Sequence, residues 1–165
     1  MASQNFIFIS YARTDEAFAV KLARDLRDKG VKVWIDQFDI YPGDKWDSEV
    51  QKALRSCGSI MVILSPTSVA SDNVQNEVAY AIKKKKTVIP VLYEECDIPF
   101  NIVRLHYVDF TKDYERGFQE VSESLGVPQK KAPQSPKEQD EKDEKKEREE
   151  SHKQFVPGGG GSNSQ

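Results

Sequence analysis

At 165 residues the chain has room for one ordinary domain and is too short for two large ones. Its 38 % hydrophobic and 31 % charged residues average two unlike regions: apolar and polar blocks alternate as far as Val127, and large apolar residues nearly vanish from Pro128 onward. The net charge of −3 lies wholly in residues 1–127 (16 Lys and Arg against 19 Asp and Glu), while residues 128–165 balance 8 against 8, so the electrostatic footprint of a nucleic-acid-binding protein is missing.

The two cysteines, Cys57 and Cys96, have no metal-ligand spacing, and His106 and His152 form no cluster with them. They read as reduced thiols in a reducing compartment. The opening "MASQNFIFIS" has no basic segment ahead of its short apolar run. No apolar stretch approaches the ~20 residues of a membrane helix. The expectation is a soluble cytoplasmic protein with no metal, nucleic-acid or membrane partner.

In chain order, "NFIFIS" is a short buried strand ending at Ser10. A helix follows, with Thr14 as its expected cap, Asp15 and Glu16 in its first turn, Phe18, Leu22 and Leu26 on one face, and Gly30 as its stop. "VKVWID" is a second strand, and "QFDIYPGD" a loop turned at Pro42-Gly43. A second helix spans 45–56, with Trp46, Val50, Ala53 and Leu54 at helical spacing. "SIMVILS" is a continuously apolar strand and "PTSVAS" a loop. A third helix begins at "SDNVQNEVAYA" and runs to Lys83-Lys84-Lys85-Lys86, cations that complement the negative helix end. "TVIPVLY" and "LHYVDF" are the last strands, separated by irregular chain, and residues 114–125 form the last helix.

Strands alternate with helices, and several strands are apolar throughout, which predicts a parallel sheet covered on both faces. The fold class is α/β: a flavodoxin-like three-layer sandwich around a five-stranded parallel sheet of order 2-1-3-4-5. A ligand crevice belongs at the carboxyl ends of such strands, here Ser10-Tyr11, Asp36 and Ser65. Residues 128–165 read as a disordered tail, charged and then Gly/Ser-rich, linking to a further domain.

Several crevice chemistries are excluded. The first turn, "SYARTDE", has no glycine for a dinucleotide fingerprint, and no GxxxxGK[ST] is present. A phosphorylated receiver needs an acid at the end of the third strand, where this chain has Ser65.

Three ordered blocks then carry a resemblance. "FIFISYARTDEAFAVKLARDLRDKGVKVWID", "DIYPGDKW" and "SIMVILSPTSVASDNVQNEVAYA" resemble the first block, the BB loop and the third-strand-to-helix block of Toll/interleukin-1 receptor (TIR) domains, over residues 5–125. Some members of that family only assemble. Others, common in bacteria and plants and including the bacterial type that the first block resembles, hydrolyse or cyclise NAD+ at the nicotinamide–ribose bond, and the position matching their essential glutamate is Glu77. The resemblance thus implies a TIR domain over 1–127 that takes NAD+ as substrate, needs no cofactor, and is activated by self-association in immune-type signalling; the alternative is an assembly module without catalysis.

One carboxylate suffices for this chemistry in principle. Nicotinamide leaves a cationic pyridinium as a neutral group and needs no acid, while the ribose becomes oxocarbenium-like and is stabilised by a nearby negative charge. Helical phasing puts Val74, Val78, Ala81 and Ile82 on the apolar face and Glu77 on its border, as for a catalytic or a merely solvated rim residue. Many relatives carry Trp four residues before the glutamate; this chain has Asn73. Trp46 or Tyr11 is left to supply a stacking face, and Trp46 fits core packing equally. The resemblance implies nucleotide contact at Ser10, Tyr11 and Arg13, with Arg13 on a phosphate or in solvent. Asp36 either caps the BB loop or lines the pocket. Asp39, Tyr41, Pro42 and Gly43 form the expected assembly loop.

Overall fold

The computed structural model describes residues 4–128; the expected charged and Gly/Ser-rich tail lies outside them from residue 129 onward. Strand β1 (Gln4–Ser10) leads through a single 3-10 turn (Arg13–Asp15) into α1 (Glu16–Asp28). Then follow β2 (Val33–Trp34), a one-turn helix α2 (Asp36–Asp39), α3 (Trp46–Ser56), β3 (Cys57–Leu64), a second one-turn helix α4 (Pro66–Val69) and α5 (Asp72–Lys83). Strands β4 (Thr87–Leu92) and β5 (Val108–Asp109) and helix α6 (Tyr114–Ser124) complete the described chain. The five strands form one sheet in the order β2-β1-β3-β4-β5, every pairing parallel.

Alternation along β1 explains why the strand is apolar throughout. Ile7 and Ile9 face the layer of α1 and α6, where Leu22, Leu26, Met61, Ile63 and Val121 are fully buried. Phe8 faces the layer of α3 and α5, packing with Ile60, Val62, Val74 and Val78. Each fully buried Leu or Ile contributes about 1.5–3 kcal/mol, so both faces anchor the register that aligns the carboxyl ends of β1 and β3.

Several local expectations are corrected. The second and fifth strands pair over only two residues each. Two segments read as loops contain one-turn helices. In α4, Ser65 and Ser68 form a reciprocal capping box, with Ser68 N donating to Ser65 Oγ at 3.1 Å and Ser65 N to Ser68 Oγ at 2.8 Å. Thr14 does not cap α1; the 3-10 turn precedes that helix, and Asp15 turns inward, 4 % exposed, to accept a hydrogen bond from Ser65 Oγ. Ile82 is exposed, so the buried face of α5 is Val74, Val78 and Ala81. Of the lysine run expected to complement the end of α5, Lys86 serves another helix: it donates to the carbonyls of Arg55 (3.0 Å) and Cys57 (2.5 Å), at the carboxyl end of α3. No helix among the described residues is long and apolar enough to cross a membrane.

Candidate active site

Helix α5 begins as its sequence dictates. Ser71 is its N-cap, its hydroxyl accepting from Val74 N at 3.4 Å, and Val74 and Val78 dock the helix onto the sheet. This phasing leaves Glu77, partly buried, facing the end of β1. There the hydroxyl of Ser10, only 1 % exposed, donates to Glu77 Oε2 at 2.5 Å. Burial, aided by the Asp36 charge and opposed by the Ser10 hydrogen bond, pushes the Glu77 carboxyl up from its usual range to about 7. A carboxylate so placed is poorly solvated, which strengthens its interaction with any positive charge that develops beside it.

The neighbouring residues form a second hydrogen-bonded pair. Tyr11 OH donates to Asp36 Oδ1 at 2.5 Å, and Gln37 N donates to the same oxygen at 3.0 Å. Burial first, then the Asp36 carboxylate, raises the Tyr11 phenol, which stays a neutral donor. A crevice of about 370 Å³ opens above these groups. Tyr11, Arg13, Trp34, Asp36, Trp46 and Glu77 line it, with Thr67, Ser71 and Asn73 on the α4–α5 side. A larger cavity of about 560 Å³ lies beside β2 and contains none of the expected site residues.

The loop after α2 turns where Pro-Gly predicts. Asp44 N donates to the Tyr41 carbonyl at 3.0 Å across Pro42 and Gly43, and Gly43 has φ +98°, as the third position of a type II turn requires. Asp44 Oδ2 accepts from Tyr41 N at 2.9 Å, and the Tyr41 side chain is 69 % exposed. Asp39 holds the base of the loop: its Oδ2 accepts from Ile35 N at 2.9 Å and from Arg27 at 2.7 Å. Arg27 also donates to the Val33 carbonyl at 2.7 Å. These contacts satisfy the outer edge of β2, which has no further strand to pair with among the described residues.

A family model for the TIR domain matches residues 7–122. The chain belongs to the TIR domain family. This TIR domain is 32 % identical over 90 residues to the NAD(+) hydrolase TcpA of Theionarchaea archaeon, a stretch covering 52 % of the chain and 27 % of that relative. It is 30 % identical over 92 residues to the 2' cyclic ADP-D-ribose synthase BtTIR of Bacteroides thetaiotaomicron, covering 53 % of the chain and 32 % of that protein. It therefore spans about a third or less of these relatives' lengths. The crystal structure of the TIR domain of the Toll-related receptor TRR-2 from Hydra magnipapillata superposes with a TM-score of 0.63 at 22 % identity, over 74 % of this chain and 98 % of that one. That likeness is one of fold.

The fold brings Tyr11, Arg13, Asp36, Trp46 and Glu77 of this TIR domain together on the crevice lining, while Ser10, expected there as a nucleotide contact, is buried outside that lining and its hydroxyl reaches only Glu77. Trp46 is 41 % exposed on the crevice wall, not core. Asp39, Tyr41, Pro42 and Gly43 lie outside the crevice lining. Ser65, at the end of β3, is buried and turned toward Asp15 and the α4 cap, away from the crevice. Sequence reasoning missed Trp34. It stacks on Phe8 with ring centroids 5.0 Å apart and lines the crevice from β2; its place two residues before Asp36 was the available signal.

Proposed function

We propose that this TIR domain cleaves the nicotinamide–ribose bond of NAD+, releasing nicotinamide and linear or cyclised ADP-ribose, with Glu77 as the essential residue. The observation that carries this reading is the Glu77 carboxylate, set at the crevice wall and oriented by the buried Ser10 hydroxyl. The glycosidic bond breaks with its electron pair going to nicotinamide, which leaves neutral. The ribose carbon left behind carries developing positive charge, and the poorly solvated Glu77 carboxylate stabilises it. Capture by water gives ADP-ribose and releases a proton; capture by a nucleophile of the same molecule gives a cyclic product. The names of the Theionarchaea and Bacteroides relatives, a hydrolase and a cyclic ADP-ribose synthase, match these two fates of one cleavage.

In this reading Trp46 and Trp34 offer aromatic faces, Tyr11 and Asp36 contact the sugar, and Arg13 pairs with phosphate. The exposed Tyr41 loop joins one copy to the next, so that clustering in the cytoplasm activates the domain in immune-type signalling. The test is to follow nicotinamide from NAD+ with and without a clustering agent, for the wild type and Glu77→Ala.

A second reading, an assembly module without catalysis, draws on Asn73, which removes the aromatic one turn from Glu77, and on the exposed Tyr41. It predicts self-association with no nicotinamide release.

A further inference from the structure

Glu77 stands at the boundary of two cavities. One is the crevice at the end of β1. The other, about 390 Å³, lies between α3 and α5, and the two share Trp46, Val50, Asn73 and Glu77 as lining. Each volume is near the lower end of the about 300–1,000 Å³ typical of small-molecule sites, a size suited to one nucleotide half. At the junction, one helical turn from Glu77, stands Asn73. Its short side chain leaves the two spaces adjoining, where a large ring at this position would occupy the boundary.

We propose that the α3–α5 groove is a second subsite and takes the adenosine end of NAD+, while the nicotinamide riboside end lies in the crevice against Glu77. This rests on the reading of the crevice as an NAD+ site. The groove has the chemistry that a purine needs. The side-chain amides of Gln51 and Asn76 line it, and such amides pair with the adjacent donor and acceptor on the adenine edge. Tyr80 supplies a partly buried ring, and Arg55 a guanidinium that makes no ion pair among the described residues and only a 3.4 Å contact to Gln51. A ring and a guanidinium plane are the surfaces on which bases stack. Arg55 lies nine residues along α3 from Trp46, about 13 Å down the helix axis, so the groove leads away from the reacting bond. Asp47, the groove's other carboxylate besides Glu77, repels phosphate and accepts from ribose hydroxyls. The diphosphate is thereby left to the junction and to Arg13 on the crevice side.

The experiment titrates the 165-residue chain with ADP-ribose and, separately, with ribose 5-phosphate, by calorimetry. Wild type is compared with Arg55→Ala and Asn76→Ala, two exposed helical positions where alanine preserves the helix. The subsite predicts ADP-ribose binding about tenfold weaker in each variant, with ribose 5-phosphate changed by less than about twofold. Unchanged ADP-ribose affinity in both variants, equal losses for the two ligands, or no ADP-ribose binding by wild type would each overturn it. Nicotinamide release is measured on the same proteins with a clustering agent and judges the NAD+ reading separately: release with unchanged ADP-ribose affinities keeps that reading and removes the subsite, and weakened affinities without release under clustering do the reverse.

Discussion

Ser10 and Glu77, 67 residues apart in sequence, meet through a hydrogen bond of 2.5 Å from the serine hydroxyl to the glutamate carboxylate. The parallel β1–β3 pairing brings the ends of both strands together, and α5 returns over the sheet to lay Glu77 against the end of β1. The bond holds one carboxylate oxygen, Oε2; in the proposed reaction the other, Oε1, faces the ribose. Ser10→Ala is expected to lower nicotinamide release about tenfold, by loss of orientation. It should also move the acidic limb of the pH profile upward, because the Ser10 bond holds the Glu77 carboxyl down against its burial. A purely structural serine would lower activity without moving that limb.

The pH dependence follows from Glu77 being pushed up to about 7. Below that pH the group is protonated, neutral and unable to oppose ribose charge. kcat/KM for NAD+ is expected to rise about tenfold per pH unit below the midpoint and to level off above it. Asp36→Asn removes a repelling charge and should shift the midpoint downward. The check is a pH–rate profile of both proteins.

Stability should move the other way. The Glu77 carboxyl is raised in the folded protein relative to its ordinary 4.5, so the folded state favours its protonated form. The protein is most stable with respect to this group below pH 4.5, and stability is lost as pH rises from there through about 7. Glu77→Gln is therefore expected to be more stable than wild type at pH 8, by about 1–3 kcal/mol, and to show no such advantage at pH 4. Urea denaturation at the two pH values measures the difference.

The Arg27–Asp39 pair closes the β2 edge from outside. With both side chains partly exposed, its contribution is modest, about 1 kcal/mol. Asp39→Ala should cost that much in global stability and speed amide exchange at Ile35, whose N–H loses its acceptor. Hydrogen exchange at single-residue resolution reports both.

Helix α6 packs on the sheet without a side chain at Gly117. A Cβ there would lie 2.8 Å from the ring of Phe110, which is buried beside Phe18 and Tyr114. Gly117→Ala is expected to cost about 1–3 kcal/mol through overpacking, read as a lowered urea midpoint.

The sheet order and the Glu77 helix were legible because both rest on repeated apolar spacing, as with Val74 and Val78, which a sequence displays directly. The short elements were not. α4 depends on a reciprocal bond between Ser65 and Ser68, and a serine-rich turn reads equally as loop. The inward turn of Asp15 depends on Ser65, 50 residues away, a pairing that no local pattern encodes. Ile82 fitted the helical phase yet is exposed, while Ala81 in the same turn is fully buried, because each i, i+4 step from Val74 through Val78 drifts about 40° around the helix. Glu77 itself sat on a border where periodicity is neutral. Its partner Ser10 was named as a substrate contact, and its bond to Glu77 emerges only when β1 and α5 are placed together. The crevice role of Trp34 was hidden because an aromatic in a strand reads as packing.

The most direct test of the account is nicotinamide release from NAD+ by wild type and Glu77→Ala, each clustered and unclustered. Clustered wild type is expected to release nicotinamide and Glu77→Ala to fall to background, with folding retained by circular dichroism. Equal release by the two proteins, or none from clustered wild type, would contradict it.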